Sequence, residues 1–575
     1  MNEKTPKFNA KISGILAGLK PGVSICRETG EEFEIRQEDI EFYKEMMVPP
    51  PTLAPWVRQR QRYGYSFSDE LSKTKSNLSG KEILANIDSE SPMKVYANNE
   101  WWSDAWDPTD YGVDYDSSKS FFEQLYDLKL RVPRPAMIQD NAANENSDWG
   151  IGGLNLKNCF MYYGGRNNEN ILYSVSAMKS RDSMELFFVD ECEVCYEVSE
   201  SKRCYKCRYL ENSEDCIDCS FGFDLKNCEY CFGCVNLRYK KYCFFNEQLT
   251  KEIYEEKLKG INFGSKREVD EWTKKFEEFR KQRAIKANVR FKGVENSTGD
   301  NLTDCKNCHM CFYITNAQNC AYCYRCFNIQ HVYDTDGAMN AEYAISAIGE
   351  NLYNIKYCND VIRGGRNSEY CELCYGIENC FGCVGLRNKK FHVFNKEYNE
   401  EAYWLLVDKI KCDMLERGEY GESMPLKYGI YAGSYNMTMA NYIYPLTDGE
   451  AQKLGVRFFK KALTDPSQGT NAEILPDDIT EASPEIIGEI LICAETKQPF
   501  KIVKDEFEFY KKMNIPLPTM SPKMRRAKQY EKWQAPKLIK GVCAHCGKEI
   551  DICGTTLEKQ RAQNVCIDCY LKATH

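Results

Sequence analysis

Near the end of the 575-residue chain, Cys543-Ala-His-Cys546 and Cys566-Ile-Asp-Cys569 form two C-x-x-C pairs with nineteen residues between them. Two such pairs at this separation can bring four thiolates around one ion, and a tetrahedral zinc site of the ribbon type is what the spacing fits. Four protein ligands leave no coordination position for a substrate. The chemistry expected of Cys543, Cys546, Cys566 and Cys569 is therefore structural; Cys553 and His545 lie inside the same unit but are surplus to it.

A second constellation of sulfur lies in the middle of the chain. Cys192, Cys204, Cys216 and Cys228 recur every twelve residues, and Cys195, Cys207, Cys219, Cys231 and Cys243 repeat that spacing three residues later. Between them small or apolar residues keep a beat of three, as in Val198, Ser201, Leu210 and Ser213, while charged residues fill most of the gaps. A period of three suits neither a helix nor a flat half-buried strand, and short repeats of this kind mark a β-solenoid with a narrow shared core. The beat starts as early as Gly153, Leu156, Cys159 and Tyr162.

A less regular ladder follows, with Cys305, Cys308, Cys311, Cys320, Cys323, Cys326, Cys358, Cys371, Cys374, Cys380 and Cys383. Its close, FGCVGLRNKKFHVFN, repeats the close of the first, FGCVNLRYKKYCFFN, at an offset of 380 − 231 = 149, which sets His392 against Cys243. Two readings stand side by side. Inward thiols are good small fillers of a narrow tube. Alternatively, Cys204, Cys207, Cys216, Cys219, Cys228, Cys231, Cys243, Cys371, Cys374, Cys380, Cys383 and His392 hold metal, a role in which Cys and His exchange freely. Zinc, an iron–sulfur cluster and Cu(I) would use the same thiolates.

The elements that must carry these residues are many. A chain of this length divides into several domains. The net charge of −9 argues against a general polyanion binder. The N-terminus reads as neither leader nor membrane span, so 30 cysteines point to reduced thiols or metal ligands in a reducing cytoplasm rather than to disulfides. The expected fold is mainly β with α: two short Cys-rich β-solenoids capped by helices, a duplicated degenerate zinc-ribbon module and a C-terminal zinc ribbon. The expected boundaries are 10–65 for the first degenerate module, 66–150 for a Trp/Asp-rich connector, 151–248 for solenoid 1 and 249–290 for its helical cap. Solenoid 2 takes 291–396, a helix and connector 397–475, the duplicate module 476–535 and the terminal ribbon 536–575.

The duplication is direct. Cys26 to Arg58 returns as Cys493 to Arg525 without a gap, at 493 − 26 = 467 and 519 − 52 = 467, matching Phe33 with Phe500, Phe42 with Phe509, Tyr43 with Tyr510 and Thr52 with Thr519. Each copy resembles a small zinc-ribbon module of the form C-x-x-C, F-x-I, E-F-Y, C-x-x-C-R, but Thr29 and Thr496, Ala54 and Ser521, and Val57 and Met524 replace three of its four ligands. One thiolate cannot close a zinc site, so both copies are expected to be metal-free. Each ends in basic residues among aromatics, Arg58, Arg60 and Arg62 in one and Arg525, Arg526 and Lys528 in the other, a mixture suited to phosphate contact and base stacking or to a solvated charged face. Trp101, Trp102 and Trp106, set among five aspartates, are read as docking residues with turn-capping carboxylates, against a cation or sugar site.

Together, the F-x-I/E-F-Y/P-P-T module, the W-W-S-D-x-W-D-P-x-D-Y-G segment, ladders closing in F-G-C-x-x-L-R-x-K-K, and Y-N-x-T before P-L-T resemble uncharacterised Cys-rich zinc-ribbon and repeat proteins of candidate-phyla bacteria. Chains of that kind are often labelled as CoA-transferases, a label these residues do not support. The resemblance implies zinc-ribbon character and no set activity. There is no phosphate-binding G-x-x-x-x-G-K-S/T, no H-E-x-x-H and no nucleophile elbow, and five histidines offer few general bases. The first expectation is a non-catalytic, cytoplasmic metal-binding scaffold with at least one zinc ion and an RNA, ribonucleoprotein or protein partner. Thiolate-based metal storage and a redox enzyme with an iron–sulfur centre are the alternatives.

Overall fold

A computed structural model describes residues 4–66, 68, 70–137, 144–186, 208–337, 354–431, 433–460, 469–531, 537–554 and 561–574. Cys192, Cys195, Cys204 and Cys207 fall outside them. The chain forms two compact units, each discontinuous in sequence: Met1–Met137 with Val289–Phe459 and Pro536–Leu538, and Ile138–Asn288 with Lys460–Ala535 and Ile539–His575. Both are mixed α/β with many short sheets, and each combines one cysteine ladder with two small hairpin modules. Among the described residues no helix is long and apolar enough to cross a membrane.

In the second unit the ladder climbs by parallel pairing at a step of twelve. Glu169 pairs with Arg181, Leu210 with Gly222, and Cys231 with Cys243. Every third side chain turns inward, so that Leu156, Cys159, Tyr162, Ile171, Leu210, Cys216, Cys219, Leu225, Cys228, Cys231, Cys234 and Cys243 share one buried core. The residue just before each inward position tends to have a left-handed backbone, as at Asn155, Asn158, Asn167, Asn170, Asp215 and Asn227. Asn and Asp tolerate that conformation best, which explains their repetition at this place. Their side chains then join the steps: Asn146 donates to Asn158 at 2.9 Å, Asn158 to Asn170 at 3.0 Å, and Asn170 to Asp182 at 2.7 Å. Charges of opposite sign stack at the same step, as in Lys226 with Glu214 and Lys241 with Glu229, both at 2.8 Å.

The first unit's ladder obeys the same rule, with Leu302 paired to Ile314, Cys305 to Ala317 and Cys380 to His392. It is less regular because single steps take other lengths: Glu295 bridges Lys306, eleven residues on, and Lys356 bridges Glu369, thirteen residues on. Both ladders end alike. The last parallel strand turns back antiparallel, onto Glu247–Gln248 in one unit and Lys396–Glu397 in the other. A helix follows at once, Lys251–Lys259 capped by Thr250 and Glu400–Glu416 capped by Asn399. This covers an otherwise open strand edge.

The hairpin modules repeat one backbone turn four times, and we number these turns knuckles 1 to 4 in chain order. Knuckle 1 joins Gly22–Ile25 to Glu32–Ile35, and knuckle 2 joins Ser72–Lys75 to Glu82–Ala85. Knuckle 3 joins Leu491–Ile492 to Pro499–Phe500, and knuckle 4 joins Leu538–Val542 to Glu549–Cys553. In each, the first residue of the turn donates its N–H to a carbonyl five residues on: Cys26 to Glu31, Ser76 to Lys81, Cys493 to Gln498 and Cys543 to Lys548. The tight corner needs a positive φ, which glycine supplies at Gly30, Gly80 and Gly547 and Lys497 adopts at +55°. Knuckles 1 and 2 belong to the first unit and knuckles 3 and 4 to the second, so each unit draws its ladder and its knuckles from separate stretches of sequence.

Candidate metal centre

Knuckle 4 gathers the four cysteines that the spacing singled out. The sulfurs of Cys543, Cys546, Cys566 and Cys569 lie within 4.8 Å of one another. Cys546 and Cys566 Sγ are 3.8 Å apart, which is about the separation that four ligands ~2.3 Å from a tetrahedral zinc impose. The hairpin turn supplies the first pair. The strand Gln563–Val565 and helix Ile567–Thr574 supply the second, fixed to the turn by Ala544 N–H donating to the Asn564 carbonyl at 2.9 Å. Gln563–Val565 also runs parallel to Ile285–Ala287, which sets the second pair on the body of the unit. The Cys566 N–H donates to Cys543 Sγ at 3.2 Å. Burial pushes the Cys543 thiol up, but backbone N–H groups of Cys566, Cys546 and His545 outweigh it and hold it down at about 6. A sulfur that accepts hydrogen bonds and sheds its proton near neutrality is prepared as a thiolate ligand. The donor set therefore fits a zinc ion, with Cys543, Cys546, Cys566 and Cys569 as its ligands. Next to the last of them, the Tyr570 hydroxyl donates to Asp224 Oδ2 at 2.6 Å and receives Arg238 Nη2 at 2.5 Å, tying the ligand-bearing helix to its ladder.

The other three knuckles keep the frame without the ligands. The same cross-link recurs from Arg27 N–H to the Thr52 carbonyl, Asn77 to Val95 and Ala494 to Thr519, all at 2.8–2.9 Å. Counting from it, the positions of the four cysteines are held by Cys26, Thr29, Ala54 and Val57 in knuckle 1 and by Cys493, Thr496, Ser521 and Met524 in knuckle 3. Knuckle 2 was not found from the sequence. It holds Ser76, Ser79, Ala97 and Glu100, and the Ser76 hydroxyl donates to the Glu100 carboxylate, which also accepts the Ala97 N–H at 3.2 Å. The missed signal is Ser-Asn-Leu-Ser-Gly-Lys-Glu-Ile at 76–83 against Cys-Ala-His-Cys-Gly-Lys-Glu-Ile at 543–550, again at 543 − 76 = 467.

The ladder cysteines are arranged differently. Among the described residues, knuckle 4 is the one group whose ligand atoms converge closely enough to hold an ion. Cys216, Cys219, Cys228, Cys231, Cys243, Cys371, Cys374, Cys380 and Cys383 are buried and unbridged. Their S–H groups point at carbonyl oxygens, typically two residues back and nine ahead: Cys219 donates to Ile217 O at 3.4 Å and to Cys228 O at 3.5 Å, Cys374 to Glu372 O at 3.3 Å and to Cys383 O at 3.6 Å. Burial pushes the thiols of Cys234, Cys323, Cys371 and Cys380 well up, while hydrogen bonds from neighbouring thiols hold Cys231 and Cys320 down, so protons are shared along the sulfur ladder. His392 keeps the same habit. With its proton on Nδ1 it donates to Lys390 O at 2.7 Å, as Cys243 Sγ does to Lys241 O at 3.7 Å, so the exchange preserves a hydrogen bond and needs no metal to explain it.

The basic residues proposed for phosphate contact are engaged within the protein. Arg58 is buried and pairs with Asp334 at 2.9 Å, and buried Arg62 pairs with Asp336 and, at 3.2 Å, with Asp334. Arg60 pairs with Glu28. In the other unit Arg525 is buried against Glu185 and, at 3.0 Å, Glu506, while Arg526 is buried and donates to Met161 O at 3.2 Å. Lys528 pairs with Glu495 at the surface. The four buried guanidiniums clamp each module to its ladder, which is the physical reason that they are out of reach of a phosphate backbone. The Trp/Asp segment likewise docks and caps. Trp101 is fully buried with Nε1 donating to Pro133 O at 2.9 Å, and Asp107 accepts the Thr109 N–H at 2.8 Å at the start of a short helical turn.

No family model matches the chain, and no curated protein does. Among solved structures, one match is a protein described as a "putative acetyltransferase" from Desulfovibrio desulfuricans. It is 10% identical, aligned over 42% of this chain and 65% of the other, with a TM-score of 0.09. The match spans less than two thirds of that protein's length, and the likeness is too slight to carry an argument about fold or activity.

Proposed function

We propose that this protein is a non-catalytic metal-binding scaffold of a reducing compartment such as the cytoplasm. In this reading its two ladders are β-solenoids cored by buried, reduced cysteines, and its fourth knuckle is a zinc ribbon with one structural Zn(Cys)4 centre. The observation that supports it most is the convergence of four sulfurs within 4.8 Å in a closed set, with a backbone N–H already donated to one of them. A site of four protein ligands lends folding energy to a small element and offers no open position for catalysis.

The thiols that face carbonyl oxygens weigh against metal storage in the ladders, since most thiolates there would meet acceptors, and only a few sulfurs, such as those of Cys234 and Cys358, receive a backbone N–H. The burial of Arg58, Arg62, Arg525 and Arg526 weighs against an RNA or ribonucleoprotein partner at four of the six basic residues on which it rested, leaving Arg60 and Lys528. Elemental analysis of the purified chain tests the whole reading: one zinc per chain in colourless protein is expected, unchanged by Cys231→Ala and lost with Cys569→Ala. Several labile metals per chain would replace it with storage, a brown protein with an iron–sulfur centre, and salt-sensitive retention of RNA would reinstate the nucleic-acid partner.

A further inference from the structure

Knuckles 1 and 3 are copies, yet among the described residues only knuckle 3 has its outer edge paired. In the second unit the strand Leu491–Ile492 is the middle of three: Pro499–Phe500 pairs with it antiparallel, and Thr470–Asn471 pairs with it in parallel. Thr470 N–H donates to the Ile490 carbonyl at 2.9 Å. Gly469 allows the close approach, since a Cβ there would lie 2.8 Å from the Ile490 side chain and carbonyl and 3.0 Å from Ile492. Beside that added strand Ile492 is 4% exposed and Ile490 37%.

At the same offset of 467, Ile490 and Ile492 correspond to Val23 and Ile25. Their strand, Gly22–Ile25, sits in a two-stranded sheet, and no third strand pairs with it among the described residues. Val23 and Ile25 are each 67% exposed. Nothing in Gly-Val-Ser-Ile resists pairing, for the strand carries no proline, bulge or charge of the kind that blunts a free edge. The inner strand differs from its copy in a telling way. Glu34 and Glu32 stand directly across from Val23 and Ile25 on the same exposed face, where the covered copy has Lys501 and Pro499.

We propose that the free edge of Gly22–Ile25 is a docking site for an extended, basic peptide segment of a partner protein, which adds as a third, parallel strand. Main-chain hydrogen bonds supply the pairing, a small residue allows close approach at Val23, and lysine or arginine on the exposed face answers Glu32 and Glu34. Thr470–Asn471 shows the register: Asn471 lies beside Ile492, so its place in a docked peptide falls beside Ile25 with Glu32 one strand further in. The inference concerns knuckle 1 and does not rest on the metal centre of knuckle 4.

The test titrates zinc-loaded full-length protein with fluorescein-labelled peptides of residues 469–475, one native and one carrying Asn471→Lys, and follows anisotropy. Both are expected to bind, the lysine peptide about threefold more tightly. Ile25→Glu is expected to abolish binding while circular dichroism and zinc content stay unchanged, as befits an exposed side chain. Glu32→Lys with Glu34→Lys is expected to reverse the preference. Absence of binding at millimolar peptide, or binding indifferent to Ile25→Glu, overturns the proposal. Loss of the lysine preference overturns the basic character of the partner. Self-association that Ile25→Glu removes would assign the edge to a second copy of the chain instead.

Discussion

Ser76 and Cys543 occupy the same place in the same backbone turn, yet the segments that follow them are anchored in opposite ways. After knuckle 2 comes Asn98–Trp101, whose Trp101 is fully buried, receives the Trp106 indole N–H on its carbonyl at 2.8 Å and lies under the Arg387 guanidinium at 5.2 Å. After knuckle 4 comes Ile567–Thr574, of which Thr574 is the one buried residue, with Leu571 44% exposed. Where aromatic side chains supply a core, a serine and a glutamate suffice to close the turn. Where they do not, four sulfurs stand ready for an ion. An element whose core is only Ile285, Ile550, Ile552 and Val565 around two of the cysteines gains most from such a staple, and the contrast shows that the turn itself does not demand metal.

The sharpest way to break this comparison is to remove the ion. Chelation, or Cys566→Ala, is expected to strip hydrogen-exchange protection from residues 538–574 while knuckle 2 keeps its own, read peptide by peptide in one experiment. The same loss should follow on acidification, because each ligand must be deprotonated to bind. Equal loss in both knuckles would mean that the aromatic anchor is not what replaces the metal.

The converse experiment adds an ion. Ser76→Cys, Ser79→Cys, Ala97→Cys and Glu100→Cys together are expected to raise zinc content from one to two per chain, since the hydrogen-bond frame of the turn is already shared. The smallest effect belongs to knuckle 3. There burial raises the lone Cys493 thiol, but the Thr496 hydroxyl and the N–H groups of Ser521, Thr496 and Glu495 prevail and bring it down to about 7. A thiol lowered on folding adds stability above its unfolded value, and that gain fades as pH falls through 7. Cys493→Ser should therefore cost more at pH 9 than at pH 6, as read from denaturant midpoints.

Much of this could be read from residue spacing. The step of twelve is an exact consequence of stacking equal turns, so Cys231 over Cys243 follows directly, and two C-x-x-C pairs announce four converging sulfurs. Caps at Thr250, Asn399 and Thr447 mark helix starts for local reasons, which sequence carries well. What sequence hides is partnership at a distance. Arg58 meets Asp334 across 276 residues and Arg525 meets Glu185 across 340, so runs of charge that look like surface are internal clamps. Knuckle 2 was hidden for another reason. Its ligands are gone, and the backbone turn that survives leaves little more than Gly-Lys-Glu-Ile in common with knuckle 4.

The interleaving of the two units bears on how the chain is made. Residues 1–137 leave the ribosome without the ladder they clamp to, whose last parallel strand ends only at Val393, 393 − 137 = 256 residues later. At ~5–20 residues per second that wait lasts roughly a quarter of a minute to a minute. During it Arg58 and Arg62 lack their aspartates and Trp101 lacks its ladder, so nascent knuckles 1 and 2 are the part of the protein most in need of a chaperone.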